Sequence, residues 1–130
     1  MNERLGLVGL AYKAGMLAVG DTAVSQAVFQ KRVRLLCTAR DAAARQKERA
    51  ERMQAQCNGL YTALPFTQAE LGAALGRSAV AIIAFLDPGF SAAFVRKLSE
   101  GDGQYEALSI ELNARKERAN RRRAKKTGKV

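Results

Sequence analysis

The chain has no histidine and no tryptophan, and its 130 residues include only two cysteines and two prolines. Each absence removes a class of chemistry. Without histidine there is no imidazole general base, no Ser-His nucleophile pair and no mixed Cys/His zinc site. Cys37 and Cys57 are too few for a four-thiolate site or a disulfide framework. Both lie in apolar stretches, where a thiol acts as a small buried hydrophobe. A secreted protein of this size would rely on cystine staples, so their absence points to the cytoplasm. No apolar run approaches the ~20 residues needed to span a bilayer. Glycines and Lys13 interrupt the start of the chain before a signal-peptide core can form. The expectation is a soluble, cytoplasmic protein that needs no metal and no cofactor and has no membrane association.

Acidic residues are scarce too, with 12 Asp and Glu against 22 Lys and Arg, for a formal net charge of +10. The excess is concentrated. Residues 111–130 hold nine cations and two acids, so +7 of the charge lies there and only about +3 in the preceding 110 residues. With a hydrophobic fraction of 48%, those residues can bury a core. The sequence divides into a nearly neutral domain, residues 1–100, and a basic C-terminal extension, residues 104–130. Gly101-Asp102-Gly103 marks the break.

Inside the domain, helical and strand-like patterns alternate. Leu5, Val8 and Tyr12 share a helical face, and that helix ends near Gly15. Val24, Ala27 and Val28 form the stripe of a second helix, for which Asp21 is the expected N-cap. Val33–Thr38 reads as a buried strand. The polar stretch Asp41–Asn58, with Ala43, Ala50, Met53 and Cys57 on one face, reads as an amphipathic helix capped by Asp41. Leu60–Ala63 reads as a short strand. Thr67 and Glu70 form a capping box, which starts a helix that stops near Gly76. Ala79–Leu86, the most apolar stretch, reads as a central strand covered on both faces. Asp87-Pro88 then supplies an N-cap and a proline at the first helical position. In the extension, Tyr105, Leu108 and Leu112 keep a helical spacing before the pattern turns wholly polar. The expected fold is α/β: a three-layer α/β/α sandwich around a mixed, roughly four-stranded sheet, followed by a basic C-terminal helical extension.

Little supports catalysis. Asp21, Asp41 and Asp87 precede helices, where capping accounts for them. Ser25, Ser78 and Ser91 have no histidine partner, and no Gly-rich phosphate motif of the Walker or dinucleotide type is present. Binding fits better. Glycine-containing turns precede or follow helices at Gly15, Gly20 and Gly76, and helix N-termini offer backbone N–H groups and partial positive charge to phosphates. Ser25 and Gln26 carry groups able to hydrogen-bond base edges.

Two stretches resemble a known family. Leu7–Gly20, continuing to Gln26-Ala27-Val28, is similar to the "G-L-A-x-x-A-G-x-L-x-x-G" opening of the ribosomal L-seven-Ae / L-thirty-e superfamily. Leu71–Ile83 resembles its "L-G-x-x-x-G-x-x-A" segment. Asp87-Pro88-Gly89-Phe90 resembles the acidic-x-Gly-Phe that opens the last helix in the small bacterial branch. The likeness spans roughly residues 4–98. It implies the same sandwich and the binding of structured RNA, typically a kink-turn. In kink-turn-binding members a Gly-x-Asn-Glu-x-x-Lys motif opens the second helix. Here Gly20 is kept, while Thr22, Ala23 and Gln26 stand at the Asn, Glu and Lys positions. Arg77 falls in the loop that faces RNA in the family.

The resulting expectation is a monomeric, non-enzymatic protein that binds structured RNA, ribosomal RNA foremost, with ribosome or translation-factor association. The residues expected to touch RNA are Lys13, Gly20, Asp21, Thr22, Ser25, Gln26, Arg40, Gly76, Arg77, Ser78, Arg121, Arg122 and Arg123. A protein-interaction module on the same fold, without kink-turn recognition, is the competing expectation.

Overall fold

A computed structural model describes residues 3–127, with side chains as far as Ala124. The tail's Lys129 lies outside the described residues, as do the side chains of Lys125 and Lys126. The elements run α1 (Glu3–Lys13), β1 (Leu17–Val19), α2 (Asp21–Phe29), β2 (Leu35–Thr38), α3 (Ala44–Cys57), β3 (Leu60–Ala63), α4 (Gln68–Leu75), β4 (Ile82–Phe85), α5 (Pro88–Gly101) and α6 (Glu106–Thr127), with a 3₁₀ turn at Gly103–Tyr105. The fold is the α/β sandwich with a C-terminal helix that the pattern of apolar runs predicts.

The four strands form one mixed sheet in the order β1-β4-β2-β3. Strand β4 is antiparallel to both β1 and β2, and β2 is parallel to β3, so β1, β2 and β3 share one direction. Side chains alternate between two cores, as the period of two requires. Leu17, Val19, Leu35, Cys37, Ile83 and Phe85 face the layer that includes α1, α4, α5 and α6. Ala18, Leu36, Ile82 and Ala84 face α2 and α3. The Phe85 and Phe94 rings lie 4.9 Å apart and pin α5 to the sheet.

Capping is where sequence and structure agree most closely. The Thr67 Oγ1 accepts from Glu70 N and the Glu70 Oε1 accepts from Thr67 N, which together close the capping box of α4. Asp87 accepts from Phe90 N, with Pro88 at the first position of α5.

Several expectations are corrected. Leu17–Val19 is a strand, although the sequence reads as a connection between two helices. Three residues are too few to show a period, and only pairing with β4 makes them one. The central strand is Ile82–Phe85, shorter than Ala79–Leu86, because Val80 N donates to Gln68 O and ties the preceding residues to α4. The strand expected at Val33–Thr38 begins at Leu35. Gly20, not Asp21, is the N-cap of α2, and Asp21 is its first helical residue. Asp41 does not cap α3, whose N-cap is Ala43. Its Oδ1 accepts from Gln68 N at 2.8 Å, so it joins the β2–α3 loop to the start of α4. Tyr12 is not on the buried face of α1, which instead presents Val8 and Ala11.

Chain beyond Gly101-Asp102-Gly103 adds to the core. Tyr105 and Leu112 are buried in the larger cluster, and the Tyr105 hydroxyl donates to Ala63 O at 3.0 Å. Helix α6 then continues to Thr127, and its last described side chains, including Arg121, Arg122 and Arg123, are exposed.

Candidate functional site

Because β1, β2 and β3 point the same way, their carboxyl ends meet at one end of the sheet. That end gathers Gly20, the β2–α3 loop, the β3–α4 loop and the segment entering β4. Crevices at the carboxyl ends of parallel strands are common ligand sites in α/β sheets.

Gly20 makes the turn from β1 into α2 at this end. Its φ of 88° and ψ of 164° fall in a region that side-chain-bearing residues avoid. Its N–H donates to Ile82 O at 3.0 Å, which fixes the turn to β4. Among the described residues no side chain caps α2, so its first-turn N–H groups and the positive end of the helix dipole stand beside exposed Asp21 and Thr22.

Arg77 reaches this turn from the α4–β4 loop. A methyl placed on Gly20 would lie 4.0 Å from its Nη1. Its Nη2 donates to the Tyr12 hydroxyl at 3.2 Å, and its guanidinium carbon sits 5.9 Å from the centre of the Tyr12 ring. Tyr12 therefore orients the guanidinium through a hydrogen bond and through its π face. The loop itself is clamped. Gly76 takes a left-handed φ of 71°, and Arg77 N donates to Gly72 O at 2.8 Å. A methyl on Gly72 would lie 2.7 Å from Arg77 O and 2.8 Å from Ala79 N, so only glycine admits this approach.

The structure thus brings together Gly20, Asp21, Thr22, Gly76, Arg77 and Ser78. The other expected residues are not part of this cluster. Ser25 turns toward α3, where its Oγ accepts from Arg49 Nη2 at 3.1 Å. Gln26 borders a depression of about 290 Å³ beside the open edge of β1, with Gly15, Arg32 and Leu86. Lys13 lines an apolar groove between α1 and α4, across from Glu70. Arg40 follows β2 at the same end of the sheet, where its carbonyl accepts from Lys47 Nζ at 3.2 Å. The arginines 121–123 sit far along α6.

Tyr12 is the residue that sequence reasoning missed. Its i, i+3, i+7 spacing with Leu5 and Val8 places it in the core, and the one available signal is its position a single residue before Lys13 at the end of the helix. Among the described residues no group of three or more Cys, Asp or Glu is arranged to hold a metal ion. Glu111, in the middle of the basic helix, accepts from Arg115 Nε at 2.9 Å and lies 3.5 Å from Arg118, and these partners hold its carboxyl below its ordinary range.

These features define an α/β/α sandwich with an arginine-bearing turn at the carboxyl ends of its parallel strands. No family model matches the chain, and no curated protein does. Among solved structures the chain is similar to a protein of unknown function from Bacillus halodurans C. The two are 27% identical with a TM-score of 0.66, over 74% of this chain and 96% of that one. That likeness bears on the fold. Function has to be argued from the site.

Proposed function

We propose that the protein is a non-enzymatic, monomeric, cytoplasmic RNA-binding protein that acts on structured RNA, ribosomal RNA first among candidates, in association with the ribosome or a translation factor. The observation that carries this reading is the Arg77 guanidinium, oriented by Tyr12 and set beside the uncapped start of α2 at Gly20. A fixed guanidinium next to exposed backbone N–H groups suits a phosphate at a sharp bend of RNA. Exposed arginines along α6 add affinity that is independent of sequence and sensitive to salt. The division of labour follows from this. The Arg77 turn selects shape, and the helix holds phosphates.

The reading needs no cofactor or metal. No helix among the described residues is long and apolar enough to cross a membrane.

The test is a gel-shift titration of the full chain with ribosomal RNA fragments and with kink-turn RNA, at two salt concentrations. Salt-dependent retention that weakens in Arg77→Ala supports the reading. No retention of either RNA sinks it. Co-purification with one protein after RNase treatment, with Arg77→Ala neutral toward RNA, would favour a protein-interaction module on the same fold.

A further inference from the structure

The amino ends of the parallel strands, about 13 Å away at ~3.3 Å per strand residue, carry a second cationic feature. A cleft of about 220 Å³ lies there, lined by Lys31 and Arg34 from the α2–β2 connection, Asn58 from the α3–β3 turn, and Arg115 from α6. It has room for a phosphate group and a few waters.

Unusual backbone conformation concentrates at this cleft. The non-glycine residues with positive φ among those described are Lys31 and Asn58, both at 58°, and both line it. At the end of α2, Lys31 N donates to Val28 O and Arg32 N donates to Ala27 O, the pair of bonds that places a left-handed residue just past a helix. Glycine takes that position at least cost. Lysine takes it here and lines the cleft despite the strain in its backbone, and strained residues of this kind gather at ligand sites.

Two of the three charges lack a carboxylate partner. Among the described residues no carboxylate pairs with Lys31 or Arg34. Arg115 is held in place, with Nη1 donating to Asn58 O at 2.8 Å and Nε donating to Glu111. The nearby Asp87 is turned to its own helix, where Oδ2 accepts from Phe90 N. Phe29, 87% exposed, stands two residues before Lys31 and offers an aromatic face to a base.

We infer that this cleft is a second binding site, for the phosphate of a nucleotide. The phosphate sits between Lys31, Arg34 and Arg115, and the attached base is free to stack on Phe29. The site is separate from the Arg77 turn and does not depend on the reading given to that turn. Two sources share the chemistry: the backbone of a single-stranded RNA, or a free phosphorylated compound.

The experiment is amide-resolved NMR titration of the full chain, with inorganic pyrophosphate in one series and a single-stranded ten-nucleotide uridine RNA in the other. Saturable shifts are expected at the Lys31, Arg34 and Asn58 amides, where they are resolved from any response of Arg121, Arg122 and Arg123 farther along α6. Lys31→Gly, which relieves the left-handed residue, should keep or raise the thermal midpoint while weakening the cleft response at least tenfold. Arg34→Gln should weaken it similarly. Response to pyrophosphate alone assigns the site to free phosphate compounds. Response to RNA, lowered by Phe29→Ala, assigns it to a strand. No saturable response at these amides with either probe, or a response undiminished in Lys31→Gly and Arg34→Gln, overturns the assignment.

Discussion

Tyr12 and Arg77 are 65 residues apart in sequence, yet the Tyr12 hydroxyl accepts from Arg77 Nη2 at 3.2 Å. That bond links the end of α1 to the α4–β4 loop and sets the guanidinium beside Gly20. An exposed pair of this kind adds little to stability. Its consequence is orientation.

Removing the guanidinium or its support should therefore separate binding from folding. Arg77→Ala is expected to weaken structured-RNA affinity by about 1–2 kcal/mol, while the thermal midpoint stays close to the parent's. Tyr12→Phe keeps the ring and removes only the hydroxyl, so a loss of about 0.5 kcal/mol is expected. Fluorescence anisotropy with a labelled RNA measures both. Equal affinities for parent and Arg77→Ala would show that the Arg77 loop does not touch RNA.

Gly72→Ala should be costly at a position that a sequence pattern would call an ordinary helix interior. The added methyl would meet Arg77 O at 2.7 Å, Ala79 N at 2.8 Å and Ser78 C at 2.9 Å, and all three are backbone atoms. A forced backbone shift of this sort costs about 1–3 kcal/mol. Urea unfolding should show the midpoint falling with an unchanged slope. RNA affinity should fall as well, because the displaced loop carries Arg77.

Truncation distinguishes the tail's charge from its packing. Deleting residues 104–130 removes Tyr105 and Leu112 from the core along with the Tyr105 hydrogen bond to Ala63 O. Loss of a buried Leu alone costs about 2–5 kcal/mol, a large part of a domain's ~5–15 kcal/mol. That variant should unfold at much lower temperature or aggregate. Deletion from Glu117 onward spares both residues, and its thermal midpoint should match the parent's. Its RNA affinity should show a shallower salt dependence, by about 0.7–0.9 in the log-log slope for each phosphate that is no longer neutralised.

Cys37 is expected to make stability fall in alkali. Complete burial raises its thiol above the ordinary range, so the folded protein keeps the proton while the unfolded chain releases it above about pH 8.5. The unfolded state then binds fewer protons, and stability declines as pH rises, by up to about 1.4 kcal/mol per pH unit. Denaturation at pH 8 and pH 10 should show the decline, and Cys37→Ala should flatten it. A thiol reagent at neutral pH should modify half-buried Cys57 first and reach Cys37 only at the rate of unfolding.

Much of this architecture was legible in the residues alone. Thr67 with Glu70, and Asp87 with Pro88, start their helices where the sequence places them, because capping is settled among neighbours three residues apart. The apolar runs around Leu36 and Ile83 declared strands buried on both faces, since each strand residue meets a helical layer on its side. The uneven distribution of charge and the glycines at positions 20 and 76 also pointed to the exposed turns. What the sequence could not show depended on partners distant in the chain. Leu17–Val19 is a strand only because Ile83–Phe85 lies beside it, and Asp41 serves α4 because folding carries Gln68 N to its carboxylate. Tyr12 looked like core until α4 brought Arg77 across to it. Lys31, Arg34 and Arg115 were scattered cations until the turns of three layers closed around one cleft. Local rules follow from bonds between near neighbours. Sites follow from which distant surfaces the buried apolar faces force together.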